Sequence, residues 1–503
     1  MSTRTTLSIF IFSLFFGLAV QQSKLGSAPG DKTSQSSLND EKRAAEIESF
    51  ISYAQALPAE FSADLLIQLV QSGEIKDAKR KQELLIEAFY ASTKAKEAVK
   101  LVALPGSAVD SRAGYRATAA GTGFDTLSLQ CRVIKTLLPL NKKKARQLFS
   151  EIKIKLEPLS CEDALGYDVD SFFSTLQALA QTAFSAGEMS RSEHMHFVEN
   201  HLTKIHSPNQ VNAAAKLLVS LTLSELELTN LNRAFSSALK NIPGDYRSFS
   251  AERVPVGNSL RQLTAKISSQ GLSGDELLEA YRTFLINQLS GPRCSDSRVE
   301  QQTLESSLVK DFNENLRAAA YKKIAPISDE EIKPAKAGAA AKEEPYWTSP
   351  KAQRILSRIK QLRFSPKGKE FSDDEKESAE WQSQLSELVR EMAAWAPADE
   401  KSEEDYFHQK SVIYYALLPI IPDAAQYHGV RDEALRDFAT MLSASPLQKE
   451  KPSEWFLHAR VLIDRVNNAQ PPERDKLLNL VYSSRSTVLH LYVQKQQLFK
   501  SNK

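Results

Sequence analysis

The sequence predicts an all-α protein: irregularly stacked helical hairpins, in the manner of an α-solenoid or α/α toroid, followed by a smaller C-terminal helical bundle. Three observations carry this expectation. Glycine is scarce, at 18 of 503 residues, which disfavours folds built on many tight turns and glycine-rich phosphate loops. Apolar residues recur at helical spacing in segments of about 12 to 22 residues, with almost no strand-like alternation. Joints containing Pro, Gly or Asn separate the segments, and several begin with an N-capping hydroxyl. The remaining composition, 42% hydrophobic and 25% charged, excludes collagen, wholesale disorder and a polytopic membrane protein. Sixty-four basic against 62 acidic residues leave a net charge of +2, so no overall field draws the chain to nucleic acid or to an anionic membrane.

Taken in order, residues 1–20 read as a secretory signal peptide: Arg4 precedes a charge-free run from Leu7 to Val20, shorter than the roughly 20 residues that span a bilayer. No stable membrane span is expected after its removal, and the destination is the periplasm or the exterior. Residues 21–37, rich in Ser, Gln, Gly and Lys, read as a flexible leader. The helical-hairpin domain is expected at 38–323. Its second helix, 58–72, is opened by Pro58 and closed by Gly73, and the next buries Leu84, Leu85, Ala88 and Phe89 while Lys79, Arg80, Lys81, Glu83 and Glu87 face water. Further helices follow at 124–138, 141–155, 163–185, 189–205, 208–223, 224–241, 258–269, 274–290 and 296–323. Ser160, Ser207 and Ser273 stand at helix starts as caps. No clean 34- or 40-residue repeat emerges, which leaves irregular stacking. Residues 324–346 turn to Ala, Lys, Glu and Pro and read as a linker. The C-terminal domain, 347–503, carries helices at 349–362, 373–395, 400–418, 423–443, 453–467 and 472–499. In the second of these Trp381, Leu385, Leu388, Met392 and Trp395 form a heptad-like seam. Such a seam is expected in a core, and the last helix could dock on the body.

The three cysteines, Cys131, Cys161 and Cys294, have no zinc-site or CxxC spacing. Cys131 shares a helical face with Leu127, Ile134 and Leu138 and is expected to be buried. Cys161 and Cys294 lie in turn-like stretches and are the disulfide candidate, the alternative being two unrelated thiols. Four of the eight histidines fall in SEHMHFVENHLTKIH. His194, His196 and His201 are therefore metal candidates, although on a helix His194 and His201 lie within about 20° of each other while His196 points roughly opposite. The alternative is a helix with partly exposed imidazoles. His408, His428, His458 and His490 occur singly and read as surface or satisfied core residues. No phosphate loop, dinucleotide fingerprint, nucleophile elbow or SxxK motif is present, so no catalytic or cofactor-binding residue is assigned. The run Lys142-Lys143-Lys144-Ala145-Arg146 reads as a solvated helix face, because no interleaved aromatics accompany it.

Two resemblances are visible. Glu48-Ser49 is similar to the Glu-Ser pair of lytic transglycosylases, but that family's downstream Gly-Leu-Met-Gln type motif is missing, and Glu48 is not assigned a role. The stretches ALPAEFSADLLIQLVQSGEIKDAKRKQELLIEAFYAS, DSRAGYRA, DTLSLQCRVIKTLLPL and LSCEDAL, over roughly residues 55–165, resemble uncharacterised exported helical proteins of acidobacterial soil bacteria. That resemblance implies export and an all-helical fold, and carries no activity across. The expectation that follows is a non-enzymatic exported scaffold holding a protein or peptide partner in the bacterial cell envelope, with no cofactor and no nucleic acid. Two alternatives are an α/α-toroid hydrolase or lyase acting on polysaccharide and a metal-binding helical bundle.

Overall fold

The computed structural model describes residues 32–96, 100–101, 118–153, 165–166, 168–244, 249–291, 307–317, 323–332, 349–469, 471 and 473–499. The signal and most of the leader, both cysteines of the disulfide candidate, Ser160, and the linker from residue 333 lie outside these. The described residues are all-α. Their one strand pairing is a two-residue antiparallel ladder of β1 (Lys100–Leu101) with β2 (Leu165–Gly166). Among them, no helix is long and apolar enough to cross a membrane. Two compact units divide the chain, Met1–Phe50 and Ile51–Lys503. Helix α1 (Lys32–Gln55) runs through that boundary and begins ahead of Leu38, inside the segment expected as leader. Once a helix is nucleated by the stronger formers downstream, each further residue adds one hydrogen bond at little cost, so it extends into a polar stretch.

In the larger unit the local signals work as expected at many helix starts. Asp77 opens α3 (Ala78–Ser92), Asp125 opens α4 (Thr126–Leu137) and Asn141 opens α5 (Lys142–Glu151), each side chain accepting from a first-turn N–H. Helix α2 (Ala59–Ser72) follows Pro58 and ends at Gly73, whose φ of 80° is the left-handed conformation that glycine adopts without strain. The segment expected at 163–185 is helical as α6 (Val169–Thr182), capped by Asp168. The segment expected at 189–205 is broken: a one-turn helix, Ala186–Ser190, ends before Ser192, which takes φ 55°, and α7 (Glu193–Leu202) starts afresh. Then come α8 (Pro208–Ser220), α9 (Glu225–Asn241), α10 (Phe249–Ser269) and α11 (Asp275–Leu289). Ser207 precedes Pro208 at the start of α8, and Gln210 folds back to accept its N–H at 3.2 Å. Neighbours pack in two rows, α2–α3–α4–α6–α8–α10 and α7–α9–α11, bridged by α6 with α7 and α8 with α9. Each helix buries a face against the next. Cys131, in α4, is the free thiol expected there: it is buried, and burial pushes its pKa up to about 12, so it acts as a small apolar group.

The C-terminal helices are α12 (Pro350–Arg363), α13 (Ala379–Ala393), α14 (Glu403–Leu417), α15 (His428–Ala444), α16 (Pro452–Asn468), α17 (Glu473–Ser483) and α18 (Thr487–Phe499). The single helix expected at 472–499 is two, separated where Arg485 takes φ 61°. All five residues of the Trp381 to Trp395 seam are buried, with the Trp381 indole donating to Leu362 O at 2.9 Å and that of Trp395 to Glu400 at 3.1 Å. The seam is core.

The last helix does dock on the body, against α2. Phe61 of α2 sits edge-on to Phe124, Trp455 and Tyr492, with ring centroids 5.4, 5.6 and 6.0 Å away, so residues from near both ends of the chain share one aromatic cluster. Beside it Asp64, 3% exposed, accepts from Arg132 at 2.6 Å, Gln68 at 2.6 Å and Tyr492 at 2.5 Å. Lys495 lies next to this carboxylate, its ammonium on Gln68 Oε1 at 2.7 Å and over the Tyr492 ring at 4.2 Å. Burial lowers the Lys495 pKa to about 8, Asp64 opposing the shift and Arg132 adding to it. Below pH 8 the burial penalty is present in full. Between pH 8 and about 10 the folded chain sheds a proton that the unfolded chain keeps, and stability rises. Urea unfolding should show wild type gaining stability relative to Lys495→Met, by on the order of 2 kcal/mol, from pH 7.5 to 10. A difference that stays constant with pH would contradict this.

Candidate functional site

Two helices bring the same spacing to one place. Helix α14, capped by Ser402 on the Asp405 N–H at 3.0 Å, carries Glu404 and His408. Helix α16, opened by Pro452 at its first position, carries Glu454 and His458. Each pair is four residues apart, so glutamate and histidine project from the same helix face one turn from each other. Both helices lean on α15, and each has a further support of its own. Helix α14 packs on α12 and α15, and α16 packs on α15 and α18, with the Trp455 indole anchored to Leu442 O at 2.8 Å.

Between them His408 and His458 are both fully buried. His408 Nε2 lies 3.0 Å from Glu454 and 3.8 Å from Glu404. His408 Nδ1 is 3.4 Å from His458 Nε2, and His458 Nδ1 meets the Tyr415 hydroxyl. Lys451 reaches Glu404 at 2.7 Å and Glu454 at 4.0 Å. Burial holds the His458 pKa well below its ordinary value, with His408 adding to the effect. Burial also raises that of Tyr415. Tyr415, His458, His408 and Glu454 thus form one chain of hydrogen bonds, which the neutral His458 and the phenol, each able to donate and to accept, can carry in either direction. Burial works against charge on Glu404, but the His408 ring and the Lys451 ammonium beside it outweigh this and keep its pKa well below the carboxylate range. Glu404, His408 and Glu454 each place one potential ligand atom within 4.8 Å of the others.

The sequence-level metal candidates are arranged differently. His194 is buried, while His196 is exposed with Nδ1 on Ser192 O at 3.0 Å. His201 holds Phe197 O at 2.7 Å and packs among Phe149, Phe172 and Phe197, with centroids 5.1, 5.9 and 4.8 Å away. Among the described residues, the group that gathers three ligand atoms contains none of these three. Sequence reasoning set His408 and His458 apart as isolated residues. The signal it passed over is the repeated glutamate-x-x-x-histidine spacing, EDYFH at 404–408 and EWFLH at 454–458. The basic run at 142–146 is a helix face: Lys142 and Lys143 are exposed, and Arg146 pairs with Glu188 at 2.8 Å and lies over Phe184 at 4.3 Å.

A second feature is a groove of about 700 Å3 between α15 and α17. Leu435, Leu477 and Leu480 line its apolar part, and Arg436, Lys476 and Glu473 are among the charged residues around them.

The chain matches no protein-family model, no curated protein and no solved structure.

Tyr415→Phe removes the hydroxyl that meets the buried His458 Nδ1. A loss of about 1–3 kcal/mol of stability is expected, measured by urea unfolding. An unchanged midpoint would contradict the chain.

Proposed function

We propose that the protein is an exported helical scaffold that binds a protein or peptide partner in the bacterial cell envelope. The groove between α15 and α17 is the observation that carries this reading. Its leucines suit an apolar anchor, and charges of both signs around them suit the polar flanks of a peptide. The stacked helices support it, since such layers leave extended surfaces between neighbouring helices. The charge-free run at 7–20 supports export. The groove lies among the C-terminal helices.

Leu480 is only partly buried, so Leu480→Asp places a charge in the apolar part of the groove with little effect on folding. Cross-linked recovery from the native envelope is expected to yield a stoichiometric protein partner with wild type. Recovery should fall at least tenfold, about 1.4 kcal/mol of binding, with Leu480→Asp. Equal recovery by the two chains, or recovery of glycan alone, would overturn the reading, the latter in favour of a polysaccharide-directed enzyme.

A further inference from the structure

We propose that Glu404, His408 and Glu454 form a binding site for a divalent first-row transition ion, with zinc as the ion that fits best. This goes beyond the scaffold reading and does not depend on it.

Geometry comes first. The three ligand atoms lie within 4.8 Å of one another. An ion held about 2.0–2.2 Å from each ligand requires donor atoms about 3.5 Å apart, a distance that small rotations of the two glutamates supply. The donor set comes next. One imidazole nitrogen with two carboxylates suits zinc, whereas magnesium and calcium prefer oxygen alone. The two carboxylates also match the ion's charge. They converge on the edge of a fully buried histidine, where their mutual repulsion favours a cation between them, the place the Lys451 ammonium now takes.

Support behind the ligand is the third observation. A histidine that binds metal through one nitrogen is held by a hydrogen bond at the other. Here His408 Nδ1 faces His458 Nε2 at 3.4 Å, and His458 is backed in turn by Tyr415. When His408 Nε2 binds the ion, its proton must sit on Nδ1 and donate to His458 Nε2. The His458 proton then sits on Nδ1 and faces the Tyr415 oxygen. In that arrangement each ring carries one proton and Tyr415 accepts, so no ring nitrogen of the chain is left facing another of its own kind.

Lys451 sets the condition for binding. Its ammonium, at 2.7 Å from Glu404 and 4.0 Å from Glu454, competes with the ion for the same carboxylates. The side chain is about one third exposed, free enough to swing toward water as the ion enters. This gives the site a signature that a purely structural ion pair lacks: removing the lysine should tighten metal binding.

The test is calorimetric titration of the full chain, stripped with chelator, using zinc chloride. Wild type is expected to bind one zinc in a saturable step and to gain several degrees in Tm, with no such response to magnesium. Glu404→Gln, at a partly exposed position, should fold normally and bind zinc at least tenfold more weakly. Lys451→Met should bind it several times more tightly, and His196→Gln should match wild type. Absence of a saturable one-to-one step, equal affinity in Glu404→Gln and wild type, or weaker binding in Lys451→Met would each overturn the proposal.

Discussion

A buried carboxylate, Asp64, is the constraint around which the larger unit is arranged. Taking a carboxylate out of water is tolerable only where several donors converge on it. Here the donors come from three helices: Gln68 from its own, Arg132 from α4 and Tyr492 from α18. Meeting that requirement brings a residue near the end of the chain against one near its start. The apolar cluster of Phe61, Phe124, Trp455, Phe456 and Tyr492 then closes around the same place. Polar satisfaction selects the partners, and the hydrophobic contact supplies most of the free energy.

Helix α16 carries this constraint to the glutamate and histidine centre. Trp455 faces Phe61 across the seam with α2, while Glu454 and His458 face α14. A shift of α16 along its axis would separate Glu454 from His408 and Trp455 from Phe61 together. Helix α14 is held on its other side by a second buried charge. Lys410, 1% exposed, pairs with Asp437 at 2.9 Å and donates to Trp395 O at 3.1 Å. Burial lowers the pKa of this lysine, Asp437 pulling the other way. The centre is thus gripped from two sides by groups that are expensive to expose, which keeps the four side chains in register.

Much of the local structure was legible in the residues, because helix formation and capping depend on near neighbours. Asn141 before a lysine-rich turn, Ser207 before Pro208 and Gly73 after a periodic run each mark a boundary that the structure shows. The burial of Cys131 and of the Trp381 to Trp395 seam also follows from spacing alone. The helix breaks at Ser192 and Arg485 were not legible. Both residues adopt positive φ without being glycine, a conformation that their residue types do not announce. The candidate site was hidden for a related reason. Periodicity says which face of a helix is buried and not which helix covers it, and His408 and His458 meet across 50 positions of sequence. Histidine density drew attention to 194–206, whereas the informative quantity was the glutamate four residues before His408 and before His458.

Helices α2, α16 and α18 form one cooperative element that holds the site in place. Native-state hydrogen exchange read by mass spectrometry tests it directly, because elements that open together share one opening free energy. Core amides of the three helices are expected to exchange at a common rate in low denaturant, and Phe61→Ala is expected to accelerate α16 and α18 as much as α2. Exchange of α16 and α18 unchanged by a substitution in α2 would contradict it.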